Sequence, residues 1–255
     1  MITHHNELRT SRKSRDFWNN KRVLITGGSA GLGRELALAL TKIGSKVAII
    51  ARTQTKLDEV KELEPEIIVM RADISNKEDI YRISGSAIGQ LGGVDILINN
   101  ASSLGPTPLK PLIDGECEEF EEVLQTNLLG PYRLTKAILP SMLFQKWGLI
   151  VNISSDAAVS PYPTWGFYGT SKAALDHMTN IWNEELKEQG INLVSLDPGD
   201  MYTDMHLAAI PDAKEEDLYS PKQVASELRD SIPNFVFNET SVSRYSASEW
   251  RVYLD

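Results

Sequence analysis

Short runs of β-branched and aliphatic residues recur along the chain at intervals, with longer amphipathic stretches between them. The runs are Val23–Ile25, Val47–Ile50, Ile67–Met70, Ile96–Ile98, Leu149–Val151 and Ile191–Leu196. None alternates cleanly between apolar and polar residues, which predicts strands buried on both faces of a parallel sheet. The intervening stretches 31–43, 54–62, 76–90, 116–145, 166–189 and 222–231 have helical length and spacing. Strand, helix, strand repeated this way gives βαβ units whose right-handed crossovers place helices on both faces. The expected fold is therefore α/β: a doubly wound, mostly parallel sheet of the Rossmann type, in one domain.

Two stretches interrupt the rhythm. Residues 102–115 carry Pro106, Pro108 and Pro111, and residues 198–221 carry Pro198, Pro211 and Pro221. Both follow strand carboxyl ends, the edge at which open α/β sheets bind ligands. The expected organisation is a basic tail over residues 1–20, then one domain over 21–255 with a substrate loop at about 200–221.

Composition narrows the function classes. The 255 residues carry a net charge of −9, and this acidic balance disfavours nucleic acid, whose phosphates reward clustered Lys and Arg. Residues 1–21 run the other way, with Arg9, Arg12, Lys13, Arg15 and Lys21 against Glu7 and Asp16, and read as a solvated arm. No apolar run approaches the roughly 18 residues that span a bilayer. The one cysteine, Cys117, suits a reducing compartment such as the cytoplasm. No residues have metal-ligand spacing.

Thr26–Gly33 reads TGGSAGLG, directly after the first strand and before a helix. Glycine there permits tight turning and lets backbone approach a pyrophosphate, which the helix N-terminus attracts. The same residues would serve a ligand-free tight turn, but their place on the first βα turn favours a dinucleotide. A NAD site would carry an acid about 20 residues further on. The second strand instead ends Ala51-Arg52-Thr53, and an arginine can grip a 2′-phosphate. NADP(H) is therefore expected over NAD(H), with Arg52 as a solvated loop residue the other reading.

Tyr168 and Lys172 are four apart on a predicted helix and share a face. An ammonium beside a phenol favours the phenolate, and such a tyrosine can exchange a proton with an alcohol or carbonyl oxygen. Ser155, at a strand end, can donate a hydrogen bond to that oxygen.

In these residues the sequence resembles the short-chain dehydrogenase/reductase family, over about 21–211. The shared motifs are TGGSAGLG, Asp73-Ile74, Asn99-Asn100-Ala101, Asn127, ISS at 153–155, YGTSK at 168–172 and PGDMYT at 198–203. The resemblance implies that Tyr168 is the general acid/base, that Lys172 assists it and binds the nicotinamide ribose, and that Ser155 orients the substrate oxygen. Asn127 would hold a helix kink and a water reaching Lys172. Gly27, Ser29, Ala30, Gly31, Leu32 and Gly33 would cradle the pyrophosphate. Arg52 with Thr53 would take the adenosine phosphate end. Asp73 and Ile74 would contact adenine, Asn100 and Ala101 the ribose, and Pro198, Gly199 and Thr203 the nicotinamide pocket. Ser102 stands where the family has glycine, and the family's terminal strand with Asp-Gly-Gly is replaced by SVSRYSASEWRVYLD.

Leu104, Asp156, Tyr162, Trp165, Met201 and Met205 are the expected substrate-lining residues, largely apolar with few charges. The expected reaction is hydride transfer between NADP(H) and the carbonyl or alcohol of a small molecule, and the resemblance implies a homodimer or homotetramer with helices 116–145 and 166–189 as its dimerising face. A weaker likeness to sepiapterin and benzil-type reductases rests on NNASSLG, Pro161, Trp165, TDM at 203–205 and a tyrosine near the terminus. The contrasting reading is a catalytically silent nucleotide sensor or scaffold.

Overall fold

Each three-residue apolar run divides between two cores. In the computed structural model, which describes residues 14–236 and 243–254, Val23 and Ile25 point into one hydrophobic layer while Leu24 points into the other. Val47 and Ile49 part from Ala48 and Ile50 in the same way. That is the consequence of a two-residue side-chain period in a sheet covered on both faces.

Seven parallel strands form the sheet: β1 (Arg22–Thr26), β2 (Lys46–Ala51), β3 (Ile68–Arg71), β4 (Ile96–Asn99), β5 (Gly148–Ile153), β6 (Ile191–Leu196) and β7 (Arg244–Tyr245), in the order β3-β2-β1-β4-β5-β6-β7. The doubly wound α/β fold is as expected. The order reverses between β1 and β4, so the crevice forms where their carboxyl ends part. Thr26 staples that point: its Oγ1 accepts the backbone N–H groups of Asn100 and Ala101, both at 3.0 Å.

The first core layer packs α2 (Gly31–Thr41), α3 (Gln54–Leu63) and α9 (Pro221–Val236) on one face; the second packs α4 (Lys77–Leu91) and α6 (Gly130–Gln145) on the other. Residues 14–20 are not a solvated arm. They open with a short helix α1 (14–18), and Trp18 is completely buried, its Nε1 donating to the Arg229 carbonyl at 2.6 Å. The packed domain therefore starts before Lys21; the remainder of the expected tail lies outside the described residues.

The expected helix 116–145 is in fact three pieces. α5 (Cys117–Leu124) passes into a wide π-turn over Gln125–Leu129 and then into α6. Asn127 sits inside that turn, the kind of local widening that accompanies functional sites. The last strand does form, though it is two residues long: Ser195 and Leu196 of β6 pair with Arg244 and Tyr245. α10 (Ala247–Arg251) follows, and Trp250 Nε1 donates to the Asp197 carbonyl at 2.8 Å, tying the chain's end to the loop after β6.

Candidate active site

A cleft of about 990 Å³ runs along the carboxyl ends of the strands. Its floor at one end is the glycine turn. Gly31 has φ +52° and Gly33 lies so close to the turn that a Cβ there would sit 2.4 Å from the Gly27 carbonyl oxygen. Only glycine satisfies both the left-handed backbone and the close approach. Ala30 precedes α2 with no side-chain cap, and the first turn holds no acid. Its N–H groups are thus left for an anion. The turn, the uncapped helix and the cations Arg34, Arg52 and Lys56 along that end suit a dinucleotide carrying phosphates.

Almost every residue singled out in the sequence lines this one cleft: Gly27, Ser29, Ala30, Gly31, Leu32, Arg52, Thr53, Asp73, Ile74, Asn100, Ala101, Leu104, Ser155, Asp156, Tyr162, Trp165, Tyr168, Lys172, Pro198, Gly199, Met201, Thr203 and Met205. Gly33 and Asn127 are the two that do not. Gly33 packs behind the turn, and Asn127 is fully buried one layer down. There Asn127 grips the loop after β4 from both sides: its Oδ1 accepts from Ser103 N at 2.7 Å and its Nδ2 donates to Ser103 O at 2.8 Å.

α7 (Gly166–Leu186) carries Tyr168 and Lys172 on its buried stripe. Lys172 Nζ donates to the Ile153 carbonyl at 2.7 Å and stands 5.6 Å from the Tyr168 ring centre. Burial pushes the ammonium down to about 8, with Asp176 one turn further along pulling the other way. Tyr168 departs from the expected drop. Its burial pushes the phenol up to about 12, against the pull of the Ser155 and Ser102 hydroxyls, and the Asp197 and Asp156 charges push with it. The expectation considered only the ammonium, whereas desolvation of the phenolate outweighs it here. At neutral pH the Tyr168 phenol therefore keeps its proton.

Ser155 Oγ donates to Asp156 Oδ1 at 3.0 Å, and Tyr162 Oη donates to Asp156 Oδ2 at 2.7 Å. Asp156 therefore anchors the serine and a wall of the cleft while remaining exposed. Asp73 Oδ1 accepts from Ser75 N and Oγ, shaping the turn into α4. Thr203 Oγ1 caps α8 (Asp204–Ala209), accepting from His206 N at 3.2 Å. Trp165 meets Tyr168 edge-on at 5.7 Å.

The family model for short chain dehydrogenases matches residues 21–214. The chain belongs to the short-chain dehydrogenase family. A short chain dehydrogenase of Pseudocercospora fijiensis is 35% identical over 192 residues, covering 72% of this chain but only 61% of that longer protein. The 3-oxoacyl-[acyl-carrier-protein] reductase FabG of Staphylococcus epidermidis is 30% identical over 202 residues, 77% of this chain and 82% of the relative. Among solved structures, the 3-ketoacyl-(acyl-carrier-protein) reductase of Brucella melitensis, complexed with NADH, superposes with TM-score 0.81 at 26% identity, covering 91% of this chain and 99% of that one.

Four further residues line this short-chain dehydrogenase cleft: Ser102, Asp197, Asp200 and His206. Sequence reasoning left Asp197 and Asp200 without a role, and it ranked His206 as a surface residue ahead of a pocket one. Asp197 adjoins the Pro198-Gly199 motif and is buried, with its Oδ1 accepting from Gly199 N at 2.9 Å; its position beside a recognised motif was the available signal. Ser102 was visible only as a departure from the family's glycine. Among the described residues no helix is long and apolar enough to cross a membrane, and no group of His, Cys, Asp and Glu could hold a metal ion.

Proposed function

We propose that the chain is an NADP(H)-dependent carbonyl reductase of the cytoplasm, acting on a small, largely apolar substrate. The observation that carries this is the convergence of Ser155, Tyr168 and Lys172 on the same cleft as the glycine turn. The cofactor supplies the hydride, and the protein supplies orientation, a proton and charge stabilisation. Gly27 through Gly33 would hold its pyrophosphate. Arg52 and Lys56, both exposed at the end of the cleft next to β2, support the choice of a 2′-phosphate over a free ribose. Lys172 would bind the nicotinamide ribose.

Ser155 turns its hydroxyl from Asp156 to the substrate oxygen, and Tyr168 delivers its proton there as negative charge develops. The reducing direction is supported by the preference for NADP(H), since the cofactor's redox poise sets which way hydride moves. Asp156, Asp197 and Asp200 around this end disfavour an anionic group near the reacting carbon and favour neutral or cationic carbonyls. The exposed Ile181 and the stack of Tyr132 on Trp182 at 5.3 Å support assembly into dimers or tetramers through α6 and α7. The sepiapterin- and diketone-type reading rests on scattered residues, and no feature of the cleft adds to it.

Oxidation of NADPH by the purified protein is the test, with aldehydes, ketones, α-diketones and a β-ketoacyl thioester as substrates. Turnover with at least one carbonyl, lost in Tyr168→Phe, is expected. Tight NADPH binding without turnover on any carbonyl would instead make the chain a nucleotide sensor.

A further inference from the structure

Ser155 stands one residue past the sheet ladder. β5 pairs with β6 up to Ile153, and Ser154 N still donates to the Leu196 carbonyl at 2.6 Å. Beyond that point the Ser155 carbonyl accepts from Ala158 N at 3.1 Å in its own turn, and from one donor outside it. That donor is Arg244 of β7, which reaches the serine from behind the cleft. Its Nε donates to Asp176 Oδ2 at 2.7 Å, and its Nη2 donates to the Ser155 carbonyl at 3.1 Å. The Asp176 side chain is only 9% exposed, and its Oδ1 has no hydrogen-bond partner among the described residues. Arg244 therefore meets a buried carboxylate with one edge and the catalytic loop with another.

We propose that Arg244 is a positioning residue for Ser155: its planar fork, fixed on Asp176, holds the Ser155 carbonyl and so sets where the Ser155 hydroxyl points. This rests on Ser155 orienting the substrate oxygen. A guanidinium presents its N–H groups in one rigid plane, so anchoring one edge aims the other. Asp176, on the buried stripe of α7, anchors Nε, and Nη2 is then directed at the carbonyl. The backbone around Arg244 is pinned in turn, because Ser243 O accepts from Ser195 N at 2.7 Å and Tyr245 O accepts from Asp197 N at 3.0 Å. With its carbonyl held, and Ala157 N donating to Oγ at 3.1 Å, Ser155 keeps one freedom: its proton rotates between Asp156 and a substrate oxygen. Arg244 does not line the cleft, so it acts through Ser155 and not on the substrate.

The experiment measures kcat and KM with NADPH and the carbonyl of the panel above that wild type reduces fastest. The variants are Arg244→Ala and Arg244→Lys, each alone and combined with Ser155→Ala, with NADPH titration and thermal unfolding alongside. A lysine nitrogen falls where the guanidinium carbon stands, short of both acceptors, so Arg244→Lys keeps a positive charge opposite Asp176 without the fork. Arg244→Lys should unfold close to wild type, bind NADPH at every site, and show kcat lower by roughly 10- to 100-fold, the loss that small misplacements of a catalytic group produce. Arg244→Ala should lose at least as much. Combined with Ser155→Ala, either change at position 244 should cost less than about twofold more, because the group being positioned is already gone.

Wild-type kcat in Arg244→Lys, or equal losses with and without the Ser155 hydroxyl, would make Arg244 a structural tie and overturn the proposal. If Arg244→Ala fails to fold, through leaving buried Asp176 unpaired, Arg244→Lys decides in the same way. Wild-type turnover in Ser155→Ala, or no reduction of any carbonyl by wild type, would strike the underlying reading. A slow Ser155→Ala on which the Arg244 losses simply add would strike this proposal alone.

Discussion

Lys172 Nζ donates a 2.7 Å hydrogen bond to the carbonyl oxygen of Ile153, the last residue of β5. A completely buried ammonium is therefore bound first to the sheet, and its influence on Tyr168 acts across the ring rather than by direct contact. Lysine here both fixes the helix that carries the phenol and brings a positive charge to the cleft floor.

Lys172 also leaves a signature in stability. Its ammonium is held at about 8 in the folded protein against 10.5 when free. Below pH 8 both states carry the proton and the folded state bears the full cost of the buried charge. Between about 8 and 10.5 the folded state binds fewer protons than the unfolded one, so its relative stability rises with pH. Urea unfolding of wild type and Lys172→Met should therefore show wild type gaining on the variant across that window. A constant difference would mean that the ammonium is not desolvated.

Tyr168→Phe keeps the ring and its contact with Trp165 while removing the proton. Reduction should fall by roughly 10²–10⁴-fold, the usual contribution of a general acid, with NADPH affinity almost unchanged. Steady-state kinetics and a binding titration separate the two effects.

Arg52→Ala should weaken NADPH binding by roughly 10- to 150-fold, the loss of charge-assisted hydrogen bonds at about 1.5–3 kcal/mol. NADH binding should change little. Equal losses for both cofactors, read by calorimetry, would remove Arg52 from the phosphate site.

Trp18→Ala should destabilise the fold by about 3–5 kcal/mol, as large-to-small changes in a filled core do. Truncation through residue 18 should lower the unfolding midpoint for the same reason, because the buried indole and its bond to Arg229 would both be lost. Thermal unfolding of the two proteins checks this, and a midpoint equal to wild type would contradict the packing.

The strands that frame the cleft were readable because burial on both faces forces near-continuous apolar runs, and the glycine turn because its geometry admits few other residues. Trp18 escaped because one aromatic pair in a polar stretch has no periodicity to reveal a buried face. β7 escaped for a similar reason: two residues, Arg244 and Tyr245, leave no run to see. The break at Gln125–Leu129 carries no helix-stopping residue before Gly130-Pro131, so periodicity ran through it, and only the resemblance, which implies a kink at Asn127, pointed to it. The raised Tyr168 phenol depends first on its burial and then on Asp197 and Asp156, which lie 29 and 12 positions away in the sequence; only the folded chain supplies both.

α7 is fastened to the sheet at successive levels: Lys172 to the Ile153 carbonyl, Thr179 to Asn152 at 2.8 Å, and Asp176 through Arg244, which also donates to the Ser155 carbonyl. A slip of this helix by a single turn would undo every rung together, so the machinery has no half-assembled form. Catalysis should then vanish along the same denaturation curve as the backbone signal, with no earlier inactivation step.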